Sequence, residues 1–335
     1  VTGRLRRLFP PALRWPRRAG GGSRGLVLLY HRVADEPTDP LELAVSPRHF
    51  GEHLEVLRRL GQPCTLSALV EGLRLGRVPG RAVVVTFDDG YADVLGNASG
   101  ILADHDVPAT AYVTAGSVGS GNPFWWDRLA RAVLGPTSLP DTLHLDIRGV
   151  KRRWRLGDAS DGTAAAVGAR TSMHRDLQRL LRPLPGPERI AALDRVVRWA
   201  GPEATRPGGP FPLTVPELVT LSDHGLVEIG AHTMSHPVLA GLPHPAQVAE
   251  IAGSKARLED IIGRPITTFA YPYGDHSDYG SFTVDTVRAA GFESACSNFA
   301  GLVRAGADAF QIPRFHVSDC DGDALEVRLR AALSD

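Results

Sequence analysis

Short strand-patterned runs, several of them apolar and most followed by a helix-patterned stretch, constrain this 335-residue chain more than any other feature. They fall at residues 26–30, 82–85, 109–113, 226–231, 267–271, 294–297 and 311–317. Val83, Val84 and Val85 show the type: β-branched and without polar alternation, they suit a strand buried on both faces, as in a parallel sheet. Helical patterns lie between. In residues 46–60, Ser46 stands as a cap, Pro47 takes the first helical position, and Phe50, Leu54 and Leu57 recur at helical spacing. Leu66, Leu69, Val70 and Leu73 repeat the pattern, and further helices are expected at 97–105, from Pro216 through Leu221, at 245–262 and at 284–290. This alternation argues for an α/β fold around a parallel sheet. Periodicity alone does not separate a closed barrel from an open doubly wound sheet.

In such folds the chemistry gathers where strands end. The run 82–85 closes on Thr86-Phe87-Asp88-Asp89-Gly90. Neighbouring strand residues face opposite ways, so both aspartates reach one site only if the chain turns there, which Gly90 allows. One carboxylate then binds a metal while the other takes a proton from water. For an isolated Asp-Asp-Gly, a helix cap or tight turn is the plainer reading. A second cluster, His232-Thr233-Met234-Ser235-His236, follows the run 226–231. Histidines four apart lie on one side of a helical turn, and imidazoles with a carboxylate suit zinc or a similar divalent ion, leaving one position open to water. Alone, the pair reads as ordinary surface or core histidines; the combination carries the argument.

With these residues the chain resembles the polysaccharide deacetylases, the NodB-homology carbohydrate esterases, whose signature pairs Thr-Phe-Asp-Asp-Gly (here 86–90) with His-(Ser/Thr)-x-x-His (here 232–236). Phe269-Ala270-Tyr271-Pro272-Tyr273-Gly274 is similar to the third motif, in the variant seen in relatives acting on exported or capsular polysaccharides. Tyr30-His31-Arg32-Val33 and Phe124-Trp125-Trp126-Asp127 also recur there, and the likeness runs from about residue 26 to about 317. The resemblance implies a distorted (β/α)7 barrel with all motifs at one rim. It implies one divalent ion on Asp89, His232 and His236, zinc before cobalt or manganese, and Asp88 as the base. A metal-activated water then attacks the acetamide of an N-acetylated sugar in a polysaccharide or oligosaccharide, and the oxyanion leans on the metal and on the Tyr273 backbone N–H.

Departures from the family pattern leave specific questions. Where the third motif usually begins with an arginine that orients the base, this chain has Ala270, and the tryptophan-bearing fourth motif is not visible, Trp199 being the last tryptophan. The family's catalytic histidine is matched only loosely around His316. In the run 311–316 alternation puts Arg314 and His316 on one face. Arg314 is therefore the candidate to hold Asp88, and His316 the candidate general acid. His31 is the rival acid, and a structural His316 bonded to Asp319 or Asp321 is the third reading.

The domain expected at 25–335 is this barrel, interrupted by an insertion at about 120–212 that includes an alternating stretch at 143–147, a helix near 173–181 and Pro-Gly-rich linkers at 183–187 and 201–212. Trp125 and Trp126 read as core residues before sugar-stacking ones. Residues 1–24 carry arginines without acids, broken by Pro10, Pro11, Pro16 and Gly20-Gly21-Gly22. A flexible basic arm is expected, with weak membrane-surface contact through Leu5, Leu8, Phe9, Leu13 and Trp15 as the second reading. The arm lacks the apolar middle of a secretory signal, and no stretch approaches the ~20 apolar residues of a membrane span. Cys64, Cys296 and Cys320 are scattered and odd in number, which suits a reducing compartment. Cytoplasmic placement, with membrane association through the arm, is the resulting expectation. Basic and acidic residues balance at 37 each, so nothing global points to nucleic acid. Two rival functions stay open: hydrolysis of a small N-acyl or cyclic amide compound, and carbohydrate binding without catalysis.

Overall fold

The chain was described from a computed structural model covering residues 24–78, 80–156, 164–205, 208 and 210–334; the arm expected at the N-terminus lies outside the described residues except for Arg24. Seven strands build the frame: β1 (Arg24–Tyr30), β2 (Ala82–Phe87), β3 (Ala109–Val113), β4 (Val227–Ala231), β5 (Thr268–Ala270), β6 (Ser294–Cys296) and β7 (Phe315–His316). From β1 to β6 each pairs in parallel with the next. Closure comes from the last segment. β7 pairs with β1 through Leu28↔Phe315 and Leu29↔His316, while Ile312 bridges Cys296 in parallel. The Ile312 N–H donates to Ala295 O and the Ser297 N–H to Ile312 O, both at 2.9 Å. A single stretch thus joins the first and sixth strands, and the sheet curls into a distorted barrel rather than an open sheet.

Strand parity decides what lines the interior. In β2, Val83, Val85 and Phe87 pack with the surrounding helices, so Val84, Thr86 and then Asp88 face the axis. Tyr112 of β3 crosses the interior, its hydroxyl 3.0 Å from Thr268 Oγ1 and 3.2 Å from Cys296 Sγ. Gly230 makes room for that ring, since a Cβ there would stand 2.5 Å from Tyr112 Cδ1. The Tyr112 ring in turn underlies Arg314, whose guanidinium carbon is 5.5 Å from its centroid.

The outer helices follow their caps. Ser46 accepts from the His49 N–H at the start of Pro47–Leu60, and Thr65 from the Ala68 N–H at the start of Leu66–Arg74. Phe50, Leu54 and Leu57 are fully buried, and Phe50 meets Tyr30 and Phe87 edge-on at 5.3 and 5.7 Å. Each such side chain contributes about 1.5–3 kcal/mol by leaving water. The helix expected at 97–105 is instead a π turn at Val94–Ala98 followed by Ser99–Asp104. Its start is pinned from outside: Asn97 Nδ2 donates to Val33 O, and Asp93 accepts from Arg32 Nε and the Val33 N–H.

Between β3 and β4 the chain builds a second hydrophobic cluster from the helix Trp125–Leu134, a hairpin of Thr142–Ile147 with Val150–Arg155, and the helices Ala164–Leu181 and Gly186–Ala200. Phe124, Trp125, Trp126, Leu129, Leu177 and Leu193 lie in it. The strand 150–155 escapes a sequence reading because it is almost wholly exposed and Lys/Arg-rich. The helix 186–200 escapes because its first turn, Gly186-Pro187, reads as linker, although proline suits a first turn. The chain returns beside the paired aspartates, where Ala92 N–H donates to Phe211 O and Leu213 N–H to Gly90 O, both at 2.9 Å.

Candidate active site and metal centre

Asp89 leaves β2 with φ 71° and Gly90 follows with φ 87°. That left-handed turn swings consecutive carboxylates toward one site. Gly90 is held to glycine twice over, because a Cβ there would also lie 2.9 Å from Val113 Cγ1. The second cluster is not the helical turn expected for histidines four apart. Thr233 (φ 63°) and His236 (φ 54°) are both left-handed, and the Thr233 hydroxyl accepts from the His236 N–H at 3.0 Å. Glu250, on the helix His244–Ile262, secures this loop by accepting from the Met234 and Ser235 N–H groups at 2.8 Å each. Tyr273 is left-handed too (φ 61°). Each such non-glycine residue costs roughly 1–3 kcal/mol, and such strain collects at functional sites.

The turns bring Asp89, His232 and His236 together, all buried, with one donor atom from each within 4.8 Å of the others. Asp89 Oδ1 lies 3.3 Å from His236 Nε2 and 3.7 Å from His232 Nε2. His232 Nδ1 is 2.8 Å from Ala270 O, which can only accept, so Nδ1 carries the proton and Nε2 presents its lone pair to the cluster. Among the described residues no hydrogen-bond donor reaches the Asp89 carboxylate. Burial pushes the Asp89 carboxyl above its ordinary value, with His31 and His232 opposing. Burial also lowers His232 to about 4 and His236 to about 3. A buried carboxylate facing two neutral imidazoles, with no cation bonded to it among the described residues, is a donor set that fits a divalent cation.

Asp88 is tied down differently. Burial alone would raise its carboxyl, but Arg314, with His232 and His31, outweighs that and holds it at about 2. Arg314 donates from Nη1 to Asp88 Oδ1 and from Nη2 to Oδ2, both at 2.7 Å, and its Nε donates to Ser297 O at 2.8 Å. An arginine from β7's approach therefore faces Asp88, while Ala270 offers the site its backbone carbonyl. The Tyr273 N–H has no hydrogen-bond partner among the described residues, leaving it free to meet an oxyanion.

His31 and His316 meet at the rim with ring centroids 5.4 Å apart. His31 Nδ1 is buried without a partner, and its pKa drops to about 4, burial outweighing Asp89 and Asp88. His316 is exposed. Asp319 is engaged by the Ser46 N–H, the Ser46 hydroxyl and His49 Nδ1, and among the described residues it does not bond His316. The insertion supplies one wall. Trp126 packs 4.8 Å from His236, and its indole N–H donates to Tyr91 Oη, which donates to Asp127. Both tryptophans are core residues, and Trp126 also backs His236. Tyr91, Asp127, Glu250 and two insertion arginines, Arg182 and Arg189, escape a sequence reading because nothing local marks their partners; only the phrase Phe-Trp-Trp-Asp offered a signal.

The family model described as polysaccharide deacetylase matches residues 76–141 and 204–295, leaving out most of the insertion. No curated protein matches by sequence. Several solved structures share the fold. The deacetylase PplD of Streptococcus pyogenes, in complex with acetate, is 16% identical, covers 93% of this chain and 99% of its own, and has a TM-score of 0.58. IcaB from Ammonifex degensii is 21% identical, with coverage of 94% and 98% and a TM-score of 0.59. A de-N-acetylase from Aggregatibacter actinomycetemcomitans is 16% identical, with coverage of 90% and 96% and a TM-score of 0.54.

Proposed function

Since the polysaccharide deacetylase model matches this chain on both sides of the insertion, we propose that it removes N-acetyl groups from an N-acetylated polysaccharide or oligosaccharide, using a divalent ion held by Asp89, His232 and His236. When bound, that ion supplies Lewis acidity, bringing the pKa of a water from ~15.7 toward ~7. The chain's own residues do the rest. Asp88, kept ionised by Arg314, accepts the water's proton, since a base must be unprotonated to act. The Tyr273 N–H steadies the negative charge that develops on the carbonyl oxygen, a contribution typically worth ~3–4 kcal/mol. His316, at the rim, gives a proton to the departing nitrogen, because an amide nitrogen leaves poorly as an anion. Acetate and a free amino sugar result.

The observation that carries this reading is the Arg314–Asp88 pair beside a buried Asp/His/His cluster. It supports a division in which one carboxylate holds the ion and the other, kept ionised, takes the proton. The test is acetate release from a panel of N-acetylhexosamine oligomers, with metal analysis of the same preparation. Release that depends on bound metal supports the reading. Hydrolysis confined to small N-acyl or cyclic amides, or glycan binding without release, replaces it.

A further inference from the structure

Arg189 is a buried cation without a counter-ion. It is 3% exposed, and no carboxylate lies within ion-pair distance of it among the described residues. Its Nη1 and Nη2 make only long bonds to Arg182 O (3.4 Å) and Ser235 O (3.3 Å), and its Nε has no partner. Glu250, the carboxylate whose charge reaches it, is already engaged by the Met234 N–H, the Ser235 N–H and the Ser235 hydroxyl. A buried charge left uncompensated costs several kcal/mol, so a purely structural arginine here is expected to have a carboxylate.

The surroundings are donors as well. The Arg182 guanidinium carbon lies 4.2 Å from the Tyr273 ring centroid and that of Arg189 lies 5.2 Å from the Trp125 ring. Arg182 reaches Asp278 through Nη2, but its Nε is unpartnered, while the Trp125 indole N–H is directed toward Tyr273 Oη. Guanidinium and indole N–H groups only donate, and a water could satisfy one of them without neutralising the charge. The cluster abuts the metal centre: Ser235 precedes His236, and the Tyr273 ring is 4.6 Å from that of His236. Arg182 follows one insertion helix and Arg189 sits in the first turns of the next.

Building on the deacetylase reading, we propose that Arg182 and Arg189 form an oxyanion-binding subsite beside the metal centre. It takes a carboxylate or phosphate group, either one carried by the glycan next to the scissile acetamide or the acetate that the reaction releases. The insertion thereby helps select the substrate or retain the product.

The test uses the full metal-loaded chain and Arg189→Gln, with Arg189→Lys and Arg182→Gln as further variants. Inorganic phosphate and acetate are titrated while the melting temperature is followed. Separately, kcat/KM is compared for neutral N-acetylglucosamine oligomers and for the same oligomers phosphorylated on the neighbouring sugar. Anions should raise the parent's melting temperature more than that of Arg189→Gln, with Arg189→Lys between them. If the anion comes from the glycan, the phosphorylated-to-neutral ratio should exceed one in the parent and fall about tenfold in Arg189→Gln. If it is acetate, the ratio stays near one and inhibition by acetate weakens about tenfold in that variant. Equal melting shifts in parent and folded variants, with no charge preference and unchanged acetate inhibition, overturn the proposal. Should Arg189→Gln fail to fold, Arg182→Gln and the parent's own anion response decide it. Should no oligomer be deacetylated, the deacetylase reading falls while the melting shifts still judge the subsite.

Discussion

Arg314 and Asp88, 226 positions apart in sequence, form a bidentate pair, Nη1 on Oδ1 and Nη2 on Oδ2, each at 2.7 Å. Both residues are buried, and Thr86 Oγ1 and Ser297 O hold the guanidinium from its other edges. The fork fixes the carboxylate's plane as well as its charge.

Arg314→Ala strands Asp88 as a buried, unpaired carboxylate. A loss of roughly 3–5 kcal/mol in stability is expected, together with a rate loss of about 100-fold or more on N-acetylated oligomers. Arg314→Lys keeps the charge but not the fork and should fall between parent and alanine. Urea unfolding and acetate release measure the two effects; a parent-like alanine variant removes Arg314 from this role.

Metal content separates the two aspartates. Asp89→Ala and His232→Ala should lose the divalent ion on dialysis, whereas Asp88→Asn should retain it and lose turnover. Elemental analysis of the dialysed proteins decides the matter. Stoichiometric metal in Asp89→Ala means that the ion sits elsewhere.

The proton donor is expected to be His316 rather than His31. Burial lowers the pKa of both imidazoles, His31 to about 4 and His316 below its ordinary value, but only His316 is exposed enough to recover a proton from solvent. His316→Ala should therefore lower kcat by ~10²–10⁴ with metal unchanged, the usual loss for a general acid. If His31→Ala shows that loss and His316→Ala turns over normally, the assignment reverses.

His174, on the insertion helix Ala164–Leu181, makes stability depend on pH. Burial, helped by the charge of Arg175, lowers its pKa from 6.5 to about 4, and the side chain is almost inaccessible. The unfolded chain therefore takes up this proton at a higher pH than the folded one. Stability is whole above about 6.5 and is lost as pH falls toward about 4, to the extent of roughly 3 kcal/mol. Urea midpoints between pH 7.5 and 4.5 should drop less for His174→Leu than for the parent. Parallel slopes in the two proteins would assign the acid sensitivity to other groups.

The strand runs, their helical spacers and the paired motifs at strand ends were legible in the sequence because burial on both faces, helical spacing and caps are local properties. The candidate cluster of Asp89, His232 and His236 was legible through its motif, but not the geometry that assembles it: Thr233 and His236 take left-handed conformations that no helical spacing foretells. Barrel closure depended on Ile312 and β7 bridging two strands at once. Periodicity reports that a face is buried without saying against what. The pairing of Arg314 with Asp88 was anticipated from the alternation in residues 311–316, but the same limit hid the bracing of the histidine loop by Glu250 and the isolation of Arg189. Long-range partners leave no mark on their sequence neighbours, so only the tertiary fold decides which charges meet and which remain alone.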